Sequence, residues 1–419
     1  MGGLLKKISR ISCLGIFLVF IFSMPVFAKE DSNFGFLSEG IGITPKAAKA
    51  LNIKWLRPHP GNAVWDTLEP EQGTFEWTKL DRVVKKAQKK DLQLLITIWP
   101  YADWDQESCH KNSKDAVGFE YELPLKRDVP CDFTAYQNFL TKLVERYDGD
   151  GLDDMDNLEY GIKYWEILNE PEFNEGDLVF FQGTANDYYK ILKNSYQAIK
   201  AADENSKVVL AGMASTWETS EEFWQKVFAK DSKLYFDIGN MHSITSQNPS
   251  FNARYYKNLL AQNNINKPFW VTEVQLDMDD GLEAEEAERE QAADLVRGYV
   301  KAFKAGAKKI YYTIYEADAG SNFAESALLF NGNKKPLYYA LETLIDKVDN
   351  YSHLTKIAEN QYRFKIKNKF IYVLWGNGSV PEALINETVK VTDILGNKST
   401  LSGNDLSLTD EPIYVEIIN

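Results

Sequence analysis

Two glutamates close apolar runs far apart in the chain: Glu170 in WEILNEP, from Trp165 to Pro171, and Glu273 in WVTEV, from Trp270 to Val274. Two carboxyl groups facing across a cleft suit one chemistry above others. One protonates the oxygen of a glycosidic bond while the other attacks the sugar or activates water. Only the fold can bring residues so distant in sequence together. In a barrel of alternating strands and helices the carboxyl ends of all strands share one rim, and two strand-end glutamates would meet there. A lone strand-end Glu reads equally well as a surface acid opening a turn. Two of them, one set inside Asn-Glu-Pro, favour a paired site.

The elements that would position the pair are legible as apolar runs bounded by turn residues. These are Asn33–Leu37, Ile53–Arg57, Leu92–Trp99, Ile162–Asn169, Lys207–Met213, Tyr235–His242, Pro268–Glu273 and Lys308–Tyr315. Several are almost continuously apolar, as parallel strands buried on both faces are. Amphipathic helical stretches fall between them, among them Leu80–Lys90, Phe133–Tyr147, Ala185–Ala202, Ala284–Ala305 and Leu337–Lys347. The alternation predicts an α/β fold, a (β/α)8 TIM barrel over residues 29–349. Beyond it the pattern changes to strict alternation at Tyr362–Lys367, Thr388–Thr392 and Ile413–Ile418, with Phe370–Trp375 after a polar turn and glycines between. This predicts a small C-terminal antiparallel β-domain over 350–419, packed on the barrel rather than tethered to it.

The N-terminus reads as a signal peptide, residues 1–28. Lys6, Lys7 and Arg10 precede an apolar run from Ile11 to Phe22, and Val26-Phe27-Ala28 offers small residues for cleavage. The run is short for a membrane span, so the expected product is secreted or extracytoplasmic, with no span once the signal is removed. A retained N-terminal anchor is the alternative. The formal net charge of −14 argues against nucleic acid as a partner, whose phosphates would be repelled. Past the signal only Cys109 and Cys131 remain, and two cysteines in an oxidising compartment are expected to bridge. With four histidines and no Cys or His-x-His cluster, a catalytic zinc or iron site is not expected.

Aromatic residues make up 13% of the chain, and flat aromatic faces suit the apolar faces of sugar rings. Trp99, Tyr101 and Trp104 follow the third strand in WPYADWDQ, on the predicted catalytic rim, with Asp105 placed to bind a hydroxyl. Trp99 and Trp104 are therefore candidate subsite residues; the alternative is that they cap the barrel core. The run Asp148-Gly-Asp-Gly-Leu-Asp-Asp154 resembles the start of a calcium loop, its carboxylates at alternating positions and its glycines allowing a tight turn. Leu152 stands where that pattern expects an acid. Asp148, Asp150 and Asp154 thus read either as a structural calcium site or as a plain acidic turn.

With these residues in place, the chain resembles the clan A glycoside hydrolases, retaining (β/α)8 enzymes. In that clan the acid/base Glu ends strand 4 after an Asn and the nucleophile Glu ends strand 7. Here the fourth run ends in Asn169-Glu170-Pro171 and the seventh carries Glu273. The stretch WDTLEPEQGTFEW, from Trp65 to Trp77, is similar to members related to families 5, 39 and 42. The resemblance implies that Arg57 lies beside the nucleophile and that Asn169 bonds the sugar 2-hydroxyl. It also implies that His242, ending strand 6, is a site residue, although a structural histidine fits that position too. Two departures stand out. Ser243 and Ile244 follow His242 where many members place a Tyr, and strand 8 offers Tyr312, Tyr315 and Glu316 in place of a Trp. Tyr315 is the expected substitute platform, with the choice between it and Tyr312 left open by the sequence.

The reading is a retaining glycosidase acting on O-glycosidic, β-type bonds of an oligo- or polysaccharide, with Glu170 as acid/base, Glu273 as nucleophile and no cofactor required. A carbohydrate-binding protein that has lost turnover is one rival, and a cell-surface transglycosylase using the same intermediate is another. The expected partner is a carbohydrate substrate; the sequence carries no signal of oligomeric state.

Overall fold

Eight parallel strands form the central sheet of the computed structural model, which describes residues 32–244 and 250–418. They are β1 (Phe34–Ser38), β2 (Trp55–Pro58), β3 (Gln93–Ile98), β4 (Tyr164–Ile167), β5 (Lys207–Leu210), β6 (Gly239–Ser243), β7 (Phe269–Val274) and β8 (Ala307–Tyr312). Each pairs with its sequence neighbour from β1 to β5 and from β6 to β8, and β8 pairs back onto β1. Backbone bonds from Leu210 N to Ile238 O (2.9 Å) and from Met213 N to Asn240 O (3.2 Å) join β5 to β6 and close the barrel. The expected eight-strand barrel is the observed one. Residues 1–28, expected to be a signal peptide, lie outside the described residues.

The helices form where the apolar stripe and a cap coincide. Asp132 accepts from Thr134 N and Ala135 N to start Phe133–Tyr147, and Thr184 with Asp187 forms a capping box that starts Ala185–Ala202. Their buried faces, such as Phe139, Leu143, Ile191 and Leu192, cover the outer side of the barrel. Two helices, Glu218–Phe228 and Ala253–Gln262, complete the alternation after β5 and β6. No described helix is long and apolar enough to cross a membrane.

The C-terminal region is one six-stranded antiparallel sheet, ordered His353–Ala358, Gln361–Ile366, Lys369–Leu374, Ile413–Ile417, Thr388–Thr392, Lys398–Ser402. The two strands at its edges were not apparent from sequence. Both are largely exposed, and Lys398–Ser402, KSTLS, has almost no apolar pattern to read. The sheet is packed on the barrel. Phe303 of the Ala284–Ala305 helix meets Tyr351, which sets its ring edge against Phe364 of the sheet (5.2 Å). Lys347 pairs with Glu416 at 2.7 Å across the same junction.

Candidate active site

The strands point alternate residues into the barrel. At the C-terminal end of the interior this selects polar groups: Arg57 from β2, Thr97 from β3, Glu166 from β4, Asn240 and His242 from β6, and Thr272 from β7, all buried. Two local distortions add the strand-end acids. The β6–β7 register shifts between Met241 and His242, and His242 pairs with Glu273. This bulge lets Thr272 and Glu273, adjacent in sequence, both serve one site. Past β4 the backbone turns sharply, with Leu168 at φ 69° and Glu170 at φ 38°, so Asn169 and Glu170 lie on a tight turn beyond the strand. The expected run to Asn169 is therefore cut short at Ile167.

Arg57 is the hub. Its Nη1 donates to Glu273 Oε1, its Nη2 to Asn169 Oδ1 and its Nε to Glu166 Oε2, each at 2.7 Å. Burial alone would lower the pKa of the guanidinium, but Glu166 and Glu273 outweigh it and hold the pKa above its ordinary value. His242 Nδ1 meets Glu170 Oε1 at 2.7 Å and lies 3.9 Å from Glu273 Oε1. Single atoms of Glu170, His242 and Glu273 all lie within 4.8 Å of one another. Space for the imidazole depends on Gly212: a Cβ there would stand 1.9 Å from His242 Nε2.

The hydrogen bonds assign the protons. A carboxylate only accepts, so the contact of Asn240 with Glu166 Oε1 (2.6 Å) fixes Nδ2 on that side. Asn240 Oδ1 then faces Thr272, whose single hydroxyl hydrogen must go to it (2.8 Å). The Thr272 oxygen is left to accept from His242 Nε2 at 3.0 Å. A neutral imidazole donating from Nε2 has only an acceptor at Nδ1, so Glu170 must supply the proton between them. The electrostatics agree. Burial, chiefly, and the charge of Glu166 push Glu170 up to about 8, against Arg57 and Asn169. Burial, chiefly, takes His242 down to about 4; Glu273 opposes the change and Arg57 adds to it. Glu273 is also raised by burial, but His242 and Arg57 oppose the rise, and it alone of the pair holds a direct guanidinium bond. The proton of the pair sits on Glu170 and the charge on Glu273.

The structure therefore brings together Glu170, Glu273, Arg57, Asn169 and His242. It treats the aromatics differently. Trp99 is fully buried, its Nε1 on Pro60 O (2.7 Å), with no face left for a sugar. Trp104 packs edge-on against Trp65 (5.0 Å) and bonds Glu69 O, within a structural cluster. Tyr101 is buried on Phe180 O, and Asp105 spends both oxygens on the backbone of Cys131 and Asp132. The burial of Trp99 corrects its expected place at a subsite, while Trp104 is held by packing on one side and stays partly exposed. The expected disulfide between Cys109 and Cys131 is present and closes the loop after β3, in which Trp99 and Tyr101 are fully buried and Trp104 is partly buried. Tyr312 is buried on Ser326 O, whereas Tyr315 is half-buried with its ring edge on Phe36 (6.2 Å). Asp148, Asp150 and Asp154 lie before β4, at the opposite end of the barrel. Their carboxyl oxygens gather within 4.8 Å, yet accept backbone N–H groups of Gly149, Asp150, Gly151 and Leu152.

Sequence reasoning missed Glu166, Asn240 and Thr272. A signal existed for the first, an acid inside an otherwise apolar strand, which must be paired if buried. It also missed His59, next after β2, whose ring lies 5.9 Å from Trp99 and whose Nδ1 has no hydrogen-bond partner among the described residues.

No family model matches the chain. Solved structures do resemble it. A family 39 glycoside hydrolase from Bacteroides cellulosilyticus WH2 is 16% identical, with 92% of this chain and 81% of that one covered and a TM-score of 0.65. A family 39 β-xylosidase from Caulobacter crescentus is 13% identical over 92% of this chain and 96% of that one, with a TM-score of 0.63. A family 30 endoxylanase from Clostridium papyrosolvens C71 is 14% identical over 93% and 97%, with a TM-score of 0.58. At such identities the likeness is one of fold, and it extends over the C-terminal sheet as well as the barrel.

Proposed function

We propose that this protein is a retaining glycoside hydrolase acting on β-linked oligo- or polysaccharides. The observation that carries the reading is the geometry of the two carboxyls: Glu170 held on His242 Nδ1 and Glu273 on Arg57 Nη1, each at 2.7 Å, with an oxygen of one within 4.8 Å of an oxygen of the other. Retaining enzymes set their carboxyl groups roughly 5–5.5 Å apart, whereas inverting ones leave about 6.5–9.5 Å for a water between them. Glu170 donates its proton to the glycosidic oxygen as the bond to the anomeric carbon breaks, and Glu273 bonds to that carbon. Glu170, now a base, takes a proton from water, which displaces Glu273 and releases the sugar. Asn169, whose Oδ1 accepts from Arg57 Nη2, bonds the sugar 2-hydroxyl in this reading. Nothing in these steps needs a cofactor.

Export through the N-terminal segment belongs to the same proposal, supported by a disulfide suited to an oxidising compartment. A structural calcium at Asp148, Asp150 and Asp154 is a separate proposal. It is met if chelation lowers the melting temperature and calcium restores it, and lost if the curve does not move.

The function is tested with a panel of β-linked glycans and aryl glycosides, following the first-formed anomer by NMR. Turnover with retained configuration is expected. Inversion would overturn the mechanism, and no turnover on any glycan would overturn the function.

A further inference from the structure

Of the ten tryptophans, Trp217 is the one left largely in water, with 65% of its surface exposed. It belongs to the loop after β5, on the same rim as the two glutamates. The loop is anchored at its root, where His242 N donates to Met213 O (2.8 Å). The next residue ties it to the acid/base turn: Glu172, two positions past Glu170, accepts from Ala214 N at 2.7 Å and from Trp224 Nε1 at 3.0 Å through one oxygen. Trp217 is three residues further on, so it lies within about 11 Å of Ala214 even if the chain is fully extended. Its backbone is also set. The residue before the Glu218–Phe228 helix, it has φ −68° and ψ 153°, and its N–H donates to Ser215 Oγ, which bonds in turn to Ser220 Oγ.

We propose that Trp217 is the stacking platform for the leaving-group side of the substrate, the ring beyond the scissile bond. This rests on the glycosidase reading given above. The acid/base must reach the glycosidic oxygen, and that atom joins the cleaved sugar to the leaving group. The loop that carries Trp217 is fastened to the Glu170 turn through Glu172, which puts it on the leaving-group side, whereas Arg57 and Glu273 surround the sugar that is attacked. The occupant with the right chemistry is a second sugar ring, whose apolar face covers an indole that is otherwise exposed at a cost. Trp99 after β3, by contrast, is fully buried.

The test compares two substrates with one glycone, a methyl glycoside and a trisaccharide, on the wild type, Trp217→Ala and Trp217→Phe. The side chain is exposed, so all three should melt alike. In Trp217→Ala the loss of kcat/KM on the trisaccharide should exceed the loss on the methyl glycoside by about tenfold, the scale of a stacked aromatic contact together with its buried area. Trp217→Phe should recover most of the difference. Equal losses on both substrates in an active enzyme would overturn the platform and leave the glycosidase reading intact. So would a change in self-association, measured by light scattering, with kinetics unaltered. A wild type that cleaves no glycan would instead overturn both.

Discussion

The barrel interior is filled in opposite ways at its two ends, by the same strands. At the N-terminal end Trp55, Leu95, Val209, Ile238, Trp270 and Tyr311 form a cluster of their own, with Tyr164 against it. Lys309 seals it, its ammonium 4.2 Å from the Trp55 ring centre and bonded to Ser32 O. Two residues further along most of these strands, the filling changes. Trp55 is followed by Arg57, Leu95 by Thr97, Tyr164 by Glu166, Ile238 by Asn240 and Trp270 by Thr272. One pleat repeat, under 7 Å of strand, separates an aromatic plug from a charged network. The plug gains from burying apolar surface. The network must offset the desolvation of a guanidinium and three carboxyl groups, and it does so by pairing nearly every donor with an acceptor. The two ends therefore divide stability and chemistry between them, and substitutions at each should separate the two.

The largest effect is expected at Glu273. Glu273→Ala should nearly abolish turnover, and azide should restore part of it by entering the vacated space as an external nucleophile. Unchanged activity would remove Glu273 from the mechanism. Glu170→Ala comes next. Substrates with poor leaving groups should lose about 10²–10⁴-fold in rate, while activated aryl glycosides, which need little protonation, should lose far less in the first step. Equal loss on both kinds would leave Glu170 without its role as acid. At the other end Trp270→Ala should cost roughly 3–5 kcal/mol of stability by emptying part of the plug, with activity per folded molecule preserved. A comparable loss of activity in protein that remains folded would show that the two ends are not separable.

The barrel was legible in the sequence because it follows simple rules: apolar runs, turn residues and a strand count. Glu170 and Glu273 were legible because their motif places them at strand ends. The rest of the site depends on contacts that no periodicity reports. Thr272 and Glu273 share the site only through a bulge, and Asn169 and Glu170 only through a turn with positive φ at Leu168 and Glu170. The aromatics after β3 misled for a related reason. Position on the rim was readable, but the covering of Trp99 by Pro60 O, His59 and Phe180, all distant in sequence, was not. Trp217, with no motif around it, could be found only by its exposure.

The pH profile sharpens the contrast between the carboxyls. The hydrolysis of substrates that need an acid should fall as pH rises through about 8, where Glu170 loses its proton. On the acid side activity should fall as Glu273 takes a proton, at a pH above the ordinary carboxylate value because burial raises it. A descending limb that stayed the same for activated aryl glycosides in the first step would assign it to another group.

The smallest effect, and the most specific, is expected at Thr272. Its hydroxyl accepts from His242 Nε2 and donates to Asn240, so it is what keeps the imidazole hydrogen on Nε2. Thr272→Val removes that acceptor with little change of shape. The histidine then gains by moving its hydrogen to Nδ1, where it donates to Glu170 and favours the ionised carboxylate. Stabilising the ionised form lowers the pKa of Glu170, so the descending limb should move down from about 8. One hydrogen bond to a charged group corresponds to a shift of about one pH unit. Thr272→Ser, which restores the hydroxyl, should return the limb. A general loss of rate with the limb unmoved would mean that Thr272 only packs, and that the proton on Glu170 is held by burial alone.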